Sequence, residues 1–228
     1  MSILGRGEVE VLGRLPWSSN LTFLVTCGKG DEQQAAVYKP GRGERRLWDF
    51  PPCLYRREVA AYELSELLGW GFVPETIERH DAPFGPGSLQ RYVDADFSEH
   101  HFTLVADEAH LERLMAICAF DVVANNADRK SGHCLLGHDG TIWAIDHGLC
   151  FHSEPKLRTV IWEFAGAPVP GRLLSDLADL GARLPGRLEA MLSEAEMAAL
   201  AQRLDRLVDK GRFPVPDPDS HHYPWPLV

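Results

Sequence analysis

The chain has 228 residues, 45% of them hydrophobic, and its 33 acidic residues against 23 Lys and Arg give a formal charge of −10. That much apolar material supports one packed domain or two lobes sharing a cleft, which excludes a disordered or fibrous protein. The acidic balance excludes a general nucleic-acid binder, because non-specific phosphate contacts need many Lys and Arg.

Residues 8 to 13 and 21 to 27 predict short strands, separated by the turn former Pro16-Trp17-Ser18-Ser19-Asn20. Residues 34 to 38 predict a third strand ending at Lys39-Pro40. Irregular chain follows, carrying Arg42, Arg45, Arg46, Arg56 and Arg57, a basic cluster suited either to drawing an anionic substrate toward a cleft or simply to facing water. From Arg57 the spacing of Ala60, Leu64, Leu67 and Leu68 predicts a helix stopped by Gly69. A strand over Ser88 to Val93 precedes a polar loop with Asp94, Asp96 and Glu99.

Leu111, Leu114, Met115, Cys118 and Val122 share one face of a further helix. Cys134 to Leu136 and Ile142 to Ile145 predict a hairpin about Asp139-Gly140. An irregular stretch spans Pro155 to Pro170. Ser193 with Glu196 three residues on is a capping box, opening a helix whose apolar face runs from Met197 to Val208 and which ends at Lys210-Gly211. The tail FPVPDPDSHHYPWPLV holds too many prolines for a helix or central strand and is expected to run extended over the surface.

The N-terminus lacks a charged segment followed by an apolar run, and no stretch is long enough to cross a bilayer, so a cytoplasmic protein without stable membrane insertion is expected. Five cysteines at irregular spacing fit reduced thiols better than a disulfide framework. His133, Cys134, His138, His147, Cys150 and His152 suggest a zinc site, but they lack C-x-x-C or H-x-x-x-H spacing, and Cys134 and Cys150 lie in apolar runs.

Chemistry concentrates between Asp121 and Gly148. Asp128 follows a helix end in a polar loop beside Asn126, Arg129 and Lys130, whereas Asp146 emerges from the apolar run IWAI into a Gly-containing turn. The intervening hairpin brings both acids to one end of a ribbon, as phosphoryl transfer requires of a base and a metal-binding carboxylate. Asp128 with Arg129 is the candidate catalytic pair, and Asp146 suits Mg²⁺ or Mn²⁺ through hard oxygens. Lys39, at a strand end, is placed to reach phosphates, with Glu58 as its charged partner. Ser18, Ser19 and Asn20 form a turn whose N–H groups and hydroxyls are able to cover phosphates, although a plain hairpin turn has the same composition.

The segments AVYKPGRGERRLWDFP, YRREVAAYELSELLGWGFVPET, QRYV, NADRKSGH and AIDHG, in this order, resemble the phosphatidylinositol 3-/4-kinase-like superfamily. The likeness is nearest to type II phosphatidylinositol 4-kinases and small actinobacterial members, with HipA-type and Fam20-type kinases as more distant relatives. The resemblance implies a single α+β domain of bilobal protein-kinase-like fold, with a β-rich N-lobe over 1–93 and a mainly helical C-lobe over 94–228. It implies ATP as nucleotide, Mg²⁺ or Mn²⁺ as metal, and a protein, small-molecule or phosphoinositide hydroxyl as acceptor.

By the same resemblance Lys39 is the ATP-phosphate lysine, Glu58 its helix partner, and Gln90, Arg91, Tyr92 and Val93 the strand whose backbone meets adenine. Asp128 is the catalytic acid, Asp146 the metal acid, and Ser18 and Ser19 correspond to phosphate-loop serines. Where such kinases carry a metal-binding Asn, this chain has His133, a poor ligand for Mg²⁺ and a better one for Mn²⁺. An ATP-dependent phosphotransferase is therefore the leading expectation. A nucleotide-binding pseudokinase, an AMP-transferring enzyme and a small zinc-bearing interaction domain are the alternatives.

Overall fold

The computed structural model describes residues 2–16, 20–181, 184, 186–219 and 221–227. A short helix α1 (Ile3–Arg6) leads into strands β1 (Val9–Arg14), β2 (Phe23–Lys29) and β3 (Glu32–Pro40). The β2–β3 reversal is tight: Lys29 faces Glu32. Gly28 there has φ +104°, and a Cβ on it would lie 2.0 Å from the Glu32 carbonyl oxygen, so only glycine fits.

Helix α2 (Leu54–Leu67) starts three residues before the expected Arg57. Its first turn is capped from a distance, because the Glu44 carboxylate accepts the N–H groups of Cys53 (3.0 Å) and Tyr55 (2.8 Å). Strands β4 (Thr76–Arg79) and β5 (Gly87–Arg91) complete an antiparallel sheet of order β1-β2-β3-β5-β4. The expected Ser88–Val93 strand thus lies one residue earlier at its start and ends at Arg91.

A second sheet joins β6 (Ala95–Asp96) to the hairpin β7 (Cys134–Gly137) and β8 (Ile142–Ala144). Between β6 and β7 run α3 (His101–Leu104) and α4 (Glu108–Ala124), the latter capped by Asp107 and closed by Asn125 at φ 53°. Helices α5 (Gly171–Gly181) and α6 (Glu194–Lys210) follow, α6 opened by the predicted Ser193–Glu196 capping box. α5 escaped the sequence reading, although Leu173, Leu177 and Leu180, all buried, carry helical spacing. α1, β4, β6 and α3 have four or fewer residues each, too short for periodicity to betray them.

The fold is bilobal and kinase-like, with the five-stranded sheet in one lobe and the helices and small sheet in the other. Val25, Cys27, Ala36, Tyr38 and Leu89 form a core on one face of the large sheet. The main core runs through α4, α5 and α6 and also takes Ala60, Ala61 and Leu64 of α2, so α2 ties the lobes together. Each fully buried Leu there contributes about 1.5–3 kcal/mol. No described helix is long and apolar enough to cross a membrane.

All five cysteines are free thiols, and Cys27, Cys118, Cys134 and Cys150 are buried. Burial raises the thiol pKa at all four, that of Cys134 to about 12. Among the described residues no three His, Cys, Asp or Glu side chains converge to hold a metal; Cys134, Cys150 and His147 are buried in the core, while His138 is exposed. A thiol reagent should accordingly label one cysteine, the half-exposed Cys53, in the native protein and all five in guanidinium, as counted by intact mass.

Candidate active site

β3 carries Lys39 to the edge of a cavity of about 850 Å³ between the lobes. Because side chains alternate along a strand, Tyr38 points into the sheet core and Lys39 toward the cavity. Its ammonium donates to Glu58 Oε1 and, at 2.8 Å, to Asp146 Oδ1. Glu58 lies on the cavity side of α2, and its other oxygen accepts the His147 N–H at 2.9 Å. One carboxylate thus fixes both the lysine and the loop bearing Asp146. A Cβ on Gly148 would come within 3.3 Å of Glu58 Oε1, so the small residue lets this loop close against α2.

Asp146 sits in the left-handed region at φ 60°, a conformation Asp tolerates better than most residues and one that concentrates at functional sites. Burial opposes its charge, but Lys39 and then His133 hold its carboxyl well below the ordinary range. At Lys39 burial likewise works against charge, and the Asp146 and Glu58 carboxylates outweigh it and raise the ammonium pKa. Both groups are therefore ionised at neutral pH.

Asp128 reaches the cavity from the loop after α4. The Asn126 side chain shapes that loop: Oδ1 accepts the Asp128 N–H at 3.0 Å while Nδ2 donates to Asp121 at 2.9 Å. Asp128 Oδ2 accepts from Lys130 Nζ at 2.9 Å. Burial raises the Asp128 pKa and nearby Asp146 adds to the rise, while Lys130 restrains it. This is the environment of a carboxylate drawn toward base strength.

Burial lowers the His133 pKa to about 4, so the ring is neutral at pH 7. Its Nδ1 accepts the Lys130 N–H at 3.4 Å, which assigns the ring proton to Nε2, 3.3 Å from Asp146 Oδ2. In this tautomer the Nε2–H edge of His133 lies beside the Asp146 carboxylate.

Arg129 lies behind the cleft. It is fully buried, forks onto both oxygens of the equally buried Asp121 at 2.9 Å, and donates to the His133 and Ile145 carbonyls. A guanidinium enclosed in this way touches no cavity. Its position is that of a brace joining α4, the Asp128 loop and the chain before Asp146. Arg57 departs from the expected basic mouth for the same reason, being buried against Glu196 and the Cys150 carbonyl. Arg56 is paired with Glu78, while Arg45 does line the cavity.

The structure brings Asn20, Lys39, Glu58, Asp128, His133 and Asp146 around one cavity. Asn20 Oδ1 accepts the Arg45 N–H at 2.8 Å at the cavity wall, whereas Ser18 and Ser19 lie outside the described residues. Gln90, Arg91, Tyr92 and Val93 are not in the cavity wall. Gln90 is buried on Thr76, the Arg91 and Tyr92 N–H groups donate to the carbonyls of Glu75 and Ala35, and the Arg91 guanidinium stacks 4.4 Å over the Trp143 ring. The roles of Asp121, partner of Arg129, and Glu44, cap of α2, were not read from the sequence. The signal for Asp121 was a lone acid inside the apolar run AFDVVA, where a charge needs a buried partner.

Residues 59–202, more than half of the chain, match the sequence model of the phosphatidylinositol 3- and 4-kinases. The chain belongs to this family. It is 41% identical over 265 residues to protein Rv2133c of Mycobacterium tuberculosis, spanning 99% of this chain and 94% of that one. Two solved structures share the fold. Hydra Fam20, solved with sugar, has a TM-score of 0.53 at 15% identity over 89% of this chain and 85% of its own. The Helicobacter pylori proinflammatory kinase CtkA has 0.54 at 13% identity over 92% and 94%. Family and fold alike are those of phosphotransferases. The family match includes Asp128, His133 and Asp146 but begins just past Glu58, so Lys39 and Glu58 are grouped with them by the cavity geometry alone.

Proposed function

We propose that the protein transfers the γ-phosphoryl group of ATP to an acceptor hydroxyl. The observation that carries this reading is the Lys39 ammonium held between Glu58 and Asp146 on the wall of a cavity that Asp128 also lines. Lys39 would anchor phosphate oxygens, and Asp128 would orient the acceptor hydroxyl and take its proton. The acceptor oxygen bonds to the γ-phosphorus as the bond to the ADP oxygen breaks. A base would meet the strand at or beyond Val93, since the Arg91 and Tyr92 N–H groups are already bound.

The residues fit a hard divalent cation that brings most of its own ligands. With His133 neutral, Lys39 and Lys130 face the carboxylates of Glu58, Asp128 and Asp146, a net charge of about −1 before nucleotide enters. Asp146 would hold Mg²⁺ or Mn²⁺, and the cation supplies neutralisation of the polyphosphate charge. His133 would act by aiming Asp146.

Incubation with ATP labelled at the γ- or the α-phosphate, with Mn²⁺ or Mg²⁺, tests the reading. Transfer or hydrolytic release of γ-label is expected; transfer of α-label would show AMP transfer instead. ATP-dependent stabilisation without any turnover would leave a pseudokinase, the reading that His133 in place of Asn favours. Lys39→Ala is expected to lower kcat/KM by about 10²-fold or more, because it removes a phosphate donor and leaves Glu58 facing Asp146 unneutralised.

A further inference from the structure

The acceptor side of the cleft is covered by the chain's own tail. After Phe213, buried and paired with Ala167, the chain runs extended and returns past the Asp128 loop. The His222 carbonyl accepts the Thr159 N–H and the Trp162 indole N–H, both at 3.1 Å, and the Leu227 carbonyl accepts the Ser131 N–H at 2.8 Å. Pro226 lines the same cavity as Asp128, Lys130 and Asp146. Pro224 is buried, whereas Tyr223 and Trp225 on either side of it are exposed, and the Trp225–Pro226 peptide bond is cis.

The hydrogen bonds run one way. Proline has no N–H, and this proline-rich segment offers carbonyls to donors that the enzyme body supplies. Those donors belong to two segments paired side by side, where Arg129 and Thr159 form a parallel bridge. Ser131 also has a fully buried Oγ without a hydrogen-bond partner among the described residues. A surface whose main-chain and indole N–H donors are taken up by the carbonyls of a chain segment is suited to binding polypeptide.

We propose that this groove is the acceptor site, that it binds polypeptide, and that residues 221–227 are an intramolecular occupant which an acceptor peptide displaces. The proposal rests on the phosphotransferase reading for its chemistry but on the tail contacts for its substrate class. Pro226 bears no hydroxyl, so the tail occupies the groove without being consumed. An attached segment competes at an effective concentration in the millimolar range, so a peptide that binds the open groove near 0.1 mM should be weakened about tenfold by the tail.

The test compares the full chain, the full-length variant Pro224→Asp, which places a carboxylate where proline is buried, and a chain ending at Ser220. Fluorescent peptide HHYPWPLV should bind both variants about tenfold more tightly than the unaltered protein, by anisotropy. Peptide HHYPWSLV should be phosphorylated by the variants with a KM lowered by a similar factor and the KM for ATP unchanged. Thermal melts report whether each variant is folded, and two variants guard against loss of one. Equal peptide binding by all three proteins, or none by the folded variants, overturns the groove. So does a KM that falls only for phosphatidylinositol vesicles. Peptide binding with no phosphoryl transfer leaves the groove standing and overturns the phosphotransferase reading.

Discussion

Asp146→Asn is expected to lower kcat/KM for phosphoryl transfer by about 10³-fold while the protein stays folded, because it removes charge where a cation and polyphosphate must be neutralised. Asn keeps the size of Asp and an oxygen that accepts from Lys39, so the cleft geometry at 2.8 Å is retained. Asp128→Ala should cost about 10²–10⁴-fold in the same parameter, the range for a positioned base, with ATP binding little changed. The pair separates the roles: titration of ATP with Mn²⁺ should weaken in Asp146→Asn and hold in Asp128→Ala. Either variant turning over at the wild-type rate would remove that acid from the chemistry.

Arg129→Ala should be the most damaging substitution to the fold, lowering stability by about 3–5 kcal/mol. It strands the Asp121 carboxylate, with no exposed surface, and frees the buried His133 and Ile145 carbonyls. Set against a typical total of about 5–15 kcal/mol, that loss leaves a chain partly unfolded at ambient temperature. Arg129→Lys should recover little, since an ammonium does not fork onto two carboxylate oxygens. Urea melts would decide it. A stable Arg129→Ala protein that has lost only turnover would show that the guanidinium acts on substrate, against its enclosed position.

These two predictions mark how the site was read. Asp128 and Asp146 were legible because each interrupts an apolar pattern with a turn, and the hairpin between them has a strong Asp-Gly signal. Lys39 and Glu58 were legible as a strand end and a helix start, and they meet as expected. Arg129 was grouped with the site because it neighbours Asp128 in the sequence, yet adjacent residues of a loop face opposite ways. Arg57 misled similarly: its charge suggests a surface, and only the buried Glu196, 139 positions away, accounts for it. The helix start at Leu54 depends on Glu44, whose carboxylate is placed by the intervening loop.

Sequence alone determined β1 to β3, β5, α2, α4, the β7–β8 hairpin and α6 with its capping box, the turn chemistry and the acids and lysine of the cleft, because these rest on local periodicity and on residue types rare in apolar runs. Tertiary structure decided which charges became framework, that His133 lies beside Asp146, and that the proline-rich tail returns to the cleft cavity. Those outcomes depend on burial and on partners brought together across the chain, and hydrogen-bond donors left over by one segment are matched by another only when the fold has closed.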